Sequence, residues 1–322
     1  MTLMPFIFTE SEFADIVDEQ ALFDIAVDAI VQRHGLGGGP RKRYGSGSMI
    51  VYAIGHAFVV KLFPPIYGDG ARTESLALEH LQGKLSVETP RLAATGEIDG
   101  WPYVVMSQLP GQDLASVWTD IPPANRTHIA REVGELLAQL HALPTHGLGP
   151  LTVDWPAWAA TQRDEVVARQ RALGASDAWV EQIPAFLDRV DVGVGPRGSG
   201  LLHTEIMREH LKVCCVRGRW RLCGLFDFEP AMVGPVDYEF ASVGLFVARG
   251  ERGLLRPLLE AYGIAPHAID DALSERFLAM TLLHRYCNLK WYLGLLPSPE
   301  GQTLEALARA WWDTAEASAS AA

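Results

Sequence analysis

The order of the hydrophobic patterns along the chain constrains its fold more than any other feature. Two β-rich runs, 49–54 and 57–63, are followed by a stretch with helical spacing from Arg72 to Leu85 and by the buried strand WPYVVMS. Beyond the turn at Pro110–Gly111 the chain is mainly helical, with one strand pair around Arg217–Gly218. Strands first and helices second predict an α+β protein with two lobes.

The helical patterns are strong enough to predict individual elements. FADIVDEQALFDIAVDAIVQRHG predicts one helix that stops at Gly35, and residues 153–190 predict two further helices. RTHIAREVGELLAQLHAL predicts an amphipathic helix, because its apolar residues recur at helical spacing. We place the lobe boundary at the Pro-Gly turn, which predicts an N-terminal lobe over 1–109 and a C-terminal lobe over 110–322.

Composition excludes several classes of function. The chain has 322 residues, of which 48% are hydrophobic, so it can build a large core. Its net charge of −12 argues against a nucleic-acid binder and favours a cationic ligand, although acidity also serves solubility alone. The four cysteines lack a C-x-x-C spacing, which predicts reduced core residues.

The chain carries no sign of a membrane or secretory protein. Its first residues, MTLMPFIFTESEFAD, lack a basic region and turn acidic at once. No apolar run is long enough to span a bilayer. We therefore expect a cytoplasmic protein without a membrane partner, either a monomer or a weak dimer.

Three features of the predicted N-terminal lobe fit the binding of a triphosphate. Gly45, Ser46, Gly47 and Ser48 form a turn whose backbone N–H groups could approach phosphates, although such a turn is more often only a turn. Lys61 is the lone charge in VVKLF, where a lysine is usually a strand-edge residue. A desolvated lysine needs a carboxylate partner, which Glu74 in the following helix can supply.

Two stretches of the predicted C-terminal lobe carry further polar residues in apolar surroundings. LLHTEIMREHLKV contains His203, Glu205 and His210 just before a strand. Asp227 ends the strand LCGLFDF, a position that is costly unless the carboxylate caps a turn or binds a cation. Phosphoryl transfer needs a phosphate-binding cation, a carboxylate for the attacking hydroxyl and a metal site, and the chain has a candidate for each in that order.

Several stretches resemble one family of kinases over nearly the whole chain. The matching stretches are VVKLF, ESLALEHLQGKL, TPRL, GWPYVVMSQLPG, GELLAQLHAL, LLHTEIMREHLKV, GLFDFEPAMVG and GPVDYEFA. They are similar to the aminoglycoside phosphotransferase group, and most of all to the hygromycin B kinases. The resemblance implies a protein-kinase-like fold with ATP and Mg²⁺ between the lobes.

The resemblance also implies roles for individual residues. Lys61 falls on the ATP-phosphate lysine, Glu74 on its ion-pair partner and Asp227 on the magnesium-binding aspartate. Glu205 falls on the catalytic base, while Glu239 matches an acid that we interpret as structural. The adenine pocket and hinge fall on Met106, Ser107, Gln108 and Leu109.

The chain departs from the family pattern in its catalytic loop. Family members read H-G-D where this chain has His203-Thr204-Glu205, and Asn where it has His210. Thr204 would be strained if this backbone needs a positive φ. Glu for Asp lengthens the side chain by roughly 1.5 Å. His210 is a borderline ligand for Mg²⁺, and as a metal ligand it would suit Mn²⁺ better. We expect His203 to be buried and bonded to backbone, bracing the loop.

These residues support two hypotheses. The first is an ATP-dependent O-phosphotransferase that acts on a small polar acceptor, cationic as in an aminoglycoside; the second is a kinase-fold protein that binds nucleotide or a small molecule without turnover. For a cationic acceptor, the available acids are Asp154, Asp164, Glu165, Glu181 and Asp237. Trp155, Trp158 and Trp179 could stack on a sugar, although aromatic residues at helical spacing are more often core.

Overall fold

The chain folds into two compact units. The computed structural model describes residues 2–45, 47–297 and 299–312. The first unit comprises the residues up to Pro110 together with Gly224–Ala231, and the second comprises Gly111–Cys223 and the residues from Met232 onward. The short segment that contains Asp227 thus belongs to the first unit, although it follows most of the second in sequence.

The first unit is built on one antiparallel sheet. Its strands are β1 (Arg41–Arg43), β2 (Ile50–Ile54), β3 (Phe58–Leu62), β4 (Leu92–Ile98) and β5 (Trp101–Ser107), in the order β1-β2-β3-β5-β4. Its helices are α1 (Glu10–Ile16), α2 (Gln20–His34) and α3 (Gly68–Leu81). In this sheet Lys61 lies on the central strand, opposite Val51 on one side and Val104 on the other.

The predicted single N-terminal helix is wrong, because the segment forms two helices. A capping box between Thr9 and Glu12 starts α1, and α2 ends at Gly35, where φ is 59°, as predicted. The break between the helices lets Phe13 and Phe23 pack on the same indole of Trp101, with ring centroids 6.1 and 5.8 Å away. Packing on one large side chain therefore outweighs helical continuity.

The second unit is mainly helical. Its helices are α4 (Leu114–Val117), α5 (Pro123–Ala142), α6 (Trp155–Ala172), α7 (Asp177–Val180), α8 (Ile183–Arg189), α9 (Glu239–Ser242), α10 (Arg252–Tyr262), α11 (Asp271–Leu282), α12 (Leu289–Leu295) and α13 (Leu304–Trp312), with a π-helical turn at Val243–Ala248. A β-rich first part and a helical second part confirm the predicted α+β class. Close packing of α5 on α10 depends on Gly134, where an added Cβ would lie 2.1 Å from the carbonyl oxygen of Leu258.

The predicted two helices within 153–190 are in fact three. A proline, Pro184, lies in the first turn of α8 and favours a new helix start there, because its fixed φ suits the first helical position.

The cysteines are thiols, as predicted, but only Cys287 lies in the core, and Cys215 is exposed. No helix in the described ranges combines the length and apolar character needed to cross a membrane.

Two small sheets hold the loop that carries His203, Glu205 and His210. Strand β7 (Ser199–Leu202) pairs antiparallel with β10 (Met232–Pro235). Strand β8 (Leu211–Val216) lies between β6 (Gln112–Asp113) and β9 (Arg219–Leu225). Residues 203–210 connect β7 to β8, so both ends of this loop are anchored in sheets.

Candidate active site

Lys61 lies at the centre of a buried ion cluster in the first unit. Its Nζ is 3.0 Å from Glu74, 2.5 Å from Asp227 and 2.7 Å from Glu229. Lys61 is only 4% exposed, so the desolvated lysine predicted from VVKLF is present. The predicted ion pair with Glu74 is present too, and its geometry joins strand β3 to helix α3.

The periodicity of α3 explains how a carboxylate reaches this position. The buried residues of the helix are Ala71, Glu74, Ala77, Leu78 and Leu81. Glu74 therefore occupies the face that packs inward, where a Leu or an Ala would be expected. An ionised carboxylate there is stable only with a cation beside it, which Lys61 supplies.

Asp227 reaches the cluster from a sharp turn after β9. Its φ is 75°, a left-handed conformation that Asp tolerates better than most residues. The turn is held by hydrogen bonds from the N–H of Leu225 to the carbonyl of Glu88, at 3.0 Å, and from Ala231 to Phe228, at 3.1 Å. These bonds fix the backbone on both sides of the aspartate.

The cluster has more negative than positive charge. Burial raises the pKa of Glu74 to about 7, and the charges of Asp227 and Glu229 act in the same direction. Burial alone would lower the pKa of Lys61, but the three carboxylates raise it well above its ordinary value. One lysine therefore does not balance three acids, and the cluster favours a further cation.

The three carboxylates lie close enough to one another to hold a metal ion. One oxygen each of Glu74, Asp227 and Glu229 lies within 4.8 Å of the others. Carboxylate oxygens are the ligands that Mg²⁺ prefers. Asp227 is predicted from the sequence as a metal ligand, whereas Glu229 is not, although an acid two residues further along in FDFE is a visible signal.

In the second unit, His203 braces the loop after β7. Its side chain is fully buried, and its Nδ1 accepts a hydrogen bond from the N–H of Glu205, at 3.3 Å. Its own N–H donates to Glu239 Oε2, at 2.6 Å. The prediction of a buried histidine bonded to backbone is confirmed, whereas its contribution to catalysis as the brace of this loop stays a prediction.

Thr204 adopts a left-handed backbone conformation, which glycine adopts more readily than a residue with a Cβ. Its φ is 70°, and its side chain is fully buried. A left-handed backbone costs roughly 1–2 kcal/mol for a residue with a Cβ, and a β-branched residue is an outlier there. The backbone strain predicted for a positive φ at Thr204 is therefore present, and other contacts of this loop must offset its energy.

Glu239 is one source of compensation. Burial alone would raise the pKa of this carboxyl, but the neighbouring imidazoles of His141 and His203 and a hydrogen bond from the N–H of Thr204 lower it. Glu239 therefore stays ionised beneath the loop and accepts hydrogen bonds from two consecutive loop residues. His141 Nε2 lies 3.8 Å from Glu239, and its Nδ1 lies 3.0 Å from the hydroxyl of Tyr262. The structural interpretation of Glu239 agrees with this geometry.

Glu205 and His210 are linked through the main chain. The Nδ1–H of His210 donates to the carbonyl oxygen of Glu205, at 2.6 Å, so the neutral ring has its lone pair on Nε2. Glu205 is half-buried, and its neighbours Ile206 and Leu211 are fully buried, as predicted. Glu205 as the base and His210 as a metal ligand remain predictions.

The remaining nucleotide-site candidates lie in the first unit. Ser46 falls outside the described residues, whereas Gly45, Gly47 and Ser48 are exposed between β1 and β2. Met106 is buried on β5, and the N–H of Gln108 donates to the carbonyl of Ala57, at 2.9 Å. Ser107 and Leu109 flank Gln108 at the end of β5, where the resemblance places a hinge.

The acids considered for a cationic acceptor are not all available. Asp237 is fully buried and pairs with both Arg197 and Arg276, so its charge is already neutralised. Asp154 caps α6 by accepting from the N–H of Ala157, at 3.2 Å, but its side chain is exposed. The assignment of Asp237 to the acceptor is therefore wrong, because a buried, doubly paired carboxylate has no charge to offer a ligand.

The tryptophans considered for sugar stacking are largely core residues. Trp155 is buried, donates to the carbonyl of Val192 at 2.7 Å and stacks on Trp158 with ring centroids 4.8 Å apart. Trp179 is buried as well. Trp158, which is half-buried and lies edge-on to Tyr238 at 5.2 Å, is the member of this group with exposed surface.

The sequence matches the phosphotransferase enzyme family, known as APH, over residues 44–273. The chain belongs to this family. It is accordingly a phosphotransferase of the kinase type. The matched range contains the ion cluster of the first unit and the loop of the second, so the family pattern and the geometry refer to the same residues.

Solved structures of other phosphotransferases share the fold. The complex of APH(2")-IIIa with GDP and kanamycin is 18% identical, with a TM-score of 0.63 over 80% of this chain and 89% of that one. The streptomycin–ATP complex of APH(2")-IIa is 15% identical, with a TM-score of 0.60 and coverage of 89% and 98%. Macrolide 2'-phosphotransferase MphH from Brachybacterium faecium is 22% identical, with a TM-score of 0.57 and coverage of 86% and 99%. These likenesses establish a kinase-like fold.

The stability of this phosphotransferase should depend on the protonation of His284. Burial lowers the pKa of this residue from 6.5 to about 4, so the folded state favours the neutral ring. The contribution of the neutral His284 side chain to the free energy of unfolding is therefore fully present above the unfolded-state pKa of 6.5. It is lost as the pH falls to the folded-state pKa of about 4, and we expect this loss to be about 3 kcal/mol.

Urea unfolding between pH 7 and pH 4 measures this contribution. The His284→Gln variant cannot titrate in this range, so the wild type should lose more stability than the variant on acidification. Equal losses in both proteins would show that His284 is not held neutral in the fold.

Proposed function

We propose that the protein is an ATP-dependent O-phosphotransferase whose acceptor is a hydroxyl of a small, polar, cationic natural product such as an aminoglycoside. The observation that carries the proposal is the buried cluster of Lys61 with Glu74, Asp227 and Glu229. It combines a cation suited to phosphates with three carboxylates spaced for a divalent metal. Phosphoryl transfer depends on positioning and on electrostatic stabilisation of this kind.

In this proposal the first unit binds the nucleotide. Lys61, oriented by Glu74, contacts the phosphates, while Gly45, Gly47 and Ser48 offer backbone N–H groups to them. The segment from Met106 to Leu109 offers backbone groups to the base. Asp227 and Glu229 would hold Mg²⁺, which when bound neutralises the developing charge on the phosphates. The excess negative charge of the cluster supports this assignment.

The loop of the second unit supplies the base. Glu205 orients the acceptor hydroxyl and takes its proton, while His203 keeps the loop in place. His210 binds a metal through the lone pair of Nε2 or, when its ring is protonated, donates from Nε2 to a phosphate oxygen. If it binds a metal, Mn²⁺ should support activity relatively better than in a relative with Asn, because imidazole suits transition metals.

Two considerations support a cationic acceptor. The chain carries a net charge of −12, which raises the local concentration of cations. Two of the structures that share the fold contain kanamycin or streptomycin. Binding of such an acceptor should weaken with salt, because exposed charge pairs are screened over about 8–10 Å at physiological ionic strength.

Release of ADP or GDP tests the proposal directly. The protein is incubated with Mg²⁺ and ATP or GTP, alone and with kanamycin, streptomycin, hygromycin B or erythromycin. We expect an aminoglycoside to stimulate ADP release, with mass spectrometry showing one added phosphate on the acceptor. Stimulation by erythromycin alone, without salt dependence, would contradict the charge argument.

The same experiment separates the enzyme from a binding protein. Binding of ATP without stimulated release on any acceptor would favour the second hypothesis, in which Glu205 and His210 mark a kinase fold that no longer turns over. Membership of the phosphotransferase family favours the enzyme. Retention of Lys61 and Asp227 favours it as well, because a decaying site would lose them too.

A further inference from the structure

His284 lies in the turn that follows α11 and is held there by its own backbone. Its N–H donates to the carbonyl of Thr281, at 3.0 Å, and its carbonyl accepts from the N–H of Cys287, at 2.9 Å. The imidazole is buried and stacks on Tyr238, with ring centroids 4.9 Å apart and planes 15° apart. Both the position and the plane of the ring are therefore set.

The ring contacts the strained residue of the loop. Its Nε2 is 3.1 Å from the carbonyl oxygen of Thr204, and its Nδ1 is 3.3 Å from the N–H of Tyr286. A carbonyl only accepts and an amide N–H only donates, so Nε2 carries the proton and Nδ1 the lone pair. The low pKa of about 4 agrees with a neutral ring in this tautomer.

The bond from His284 completes a clamp on one peptide group. The carbonyl of Thr204 and the N–H of Glu205 belong to the same planar peptide unit. His284 holds the carbonyl, and His203 Nδ1 accepts from the N–H. Two histidines, 81 positions apart in sequence, therefore hold the two ends of the plane that joins Thr204 to Glu205.

We propose that His284 is a positioning residue for Glu205, which acts by fixing the peptide plane between Thr204 and Glu205. This plane sets ψ of Thr204 and φ of Glu205, and thus the direction in which the Glu205 side chain leaves the backbone. The proposal rests on the proposed function, in which Glu205 is the base. Thr204 makes the clamp necessary, because its φ of 70° is unfavourable without outside support.

Two substitutions of similar size distinguish the hydrogen bond from His284 to Thr204 from a general effect of the side chain on packing. In His284→Asn, the side chain can still accept from Tyr286 but is too short to reach Thr204. In His284→Gln, the amide nitrogen lies near the position of Nε2 and can donate to Thr204. We expect kcat for ADP release to fall by about 10- to 100-fold in the Asn variant, with little change in KM for ATP, and to recover in the Gln variant.

Amide hydrogen exchange gives a readout that does not need turnover. The amide of Glu205 should exchange faster in His284→Asn than in the wild type or in His284→Gln. His128→Ala serves as the matched control, because this histidine is on the surface of the same unit and its side chain is 47% exposed. Exchange and kcat that are unchanged in the Asn variant would overturn the proposal, and so would a Gln variant as impaired as the Asn variant.

The Thr204→Gly substitution tests whether His284 affects kcat through its hydrogen bond to residue 204. Because glycine adopts positive φ readily, His284→Asn should cost less kcat in a Thr204→Gly background than in the wild type. An equal loss in both backgrounds would show that His284 does not act through Thr204. If the wild type turns over no acceptor, the proposed function fails, but the exchange of the Glu205 amide still decides whether His284 holds the loop.

Discussion

Glu205→Gln should lower kcat by about 10²–10⁴-fold, the range that a general base contributes. The substitution keeps the shape of the side chain and removes its charge. It leaves the bonds to His203 and His210 in place, because both involve the main chain of residue 205. The KM for ATP and the thermal unfolding temperature should therefore change little, and steady-state ADP release measures the loss.

Glu209→Gln is the matched control for this prediction. Glu209 is an exposed acid of the same loop and lies 3.6 Å from Arg249. Its substitution should leave kcat close to the wild-type value. A Glu205→Gln variant that turns over as fast as this control would remove Glu205 from the mechanism.

Reversion to the family residues distinguishes an adapted loop from a lapsed one. Glu205→Asp alone should lower the rate if the loop is set for the longer side chain, because a misplacement of about 1 Å can cost on the order of 100-fold. If the protein has lost kinase activity, the wild type should instead show no turnover, and activity should appear only when His210→Asn is combined with Glu205→Asp. The strain at Thr204 and its contacts with Glu239 and His284 favour an adapted loop.

Lys61→Met should lower kcat by about 10²–10³-fold at saturating ATP, because a preorganised cation at the phosphates is lost. The variant should also be less stable by roughly 3–5 kcal/mol, since three carboxylates then remain without their lysine. This cost should shrink as the pH falls, because protonation of a carboxylate removes part of the repulsion. Chemical unfolding at pH 5 and pH 8 measures the change.

Lys42→Met is the control for the lysine prediction. Lys42 is an exposed residue of β1 in the same sheet. Its substitution should affect neither kcat nor stability, whereas full turnover in Lys61→Met would refute the assignment of the strand lysine to the phosphates.

Local patterns were sufficient for much of the fold. The predicted runs 49–54 and 57–63 are β2 and β3, and the amphipathic stretch before Leu143 is α5. The pairing of Lys61 with Glu74 could also be predicted, because a buried charge needs a partner and α3 follows its strand closely. Each of these features depends on periodicity or on near neighbours in sequence.

The N-terminal break, by contrast, depended on tertiary packing. Residues 13–34 have continuous helical spacing, yet the chain turns between α1 and α2 so that both helices contact Trp101. The contact partner lies far along the chain and leaves no mark on the local pattern. The same holds for Asp237, whose burial between Arg197 and Arg276 could not be read from its neighbours.

The sequence by itself determined which residues carry charge in apolar surroundings, including Lys61 and Glu74, and its match over residues 44–273 determined the phosphotransferase family. Only the tertiary structure decided that Glu229 joins this cluster, that Thr204 is left-handed and that His284 bonds to it. The physical reason is the separation along the sequence of the residues that interact. Periodicity reports burial within one helix or strand, whereas the bonds that hold a strained loop join residues 36 and 80 positions apart, and their geometry exists only once the chain has folded.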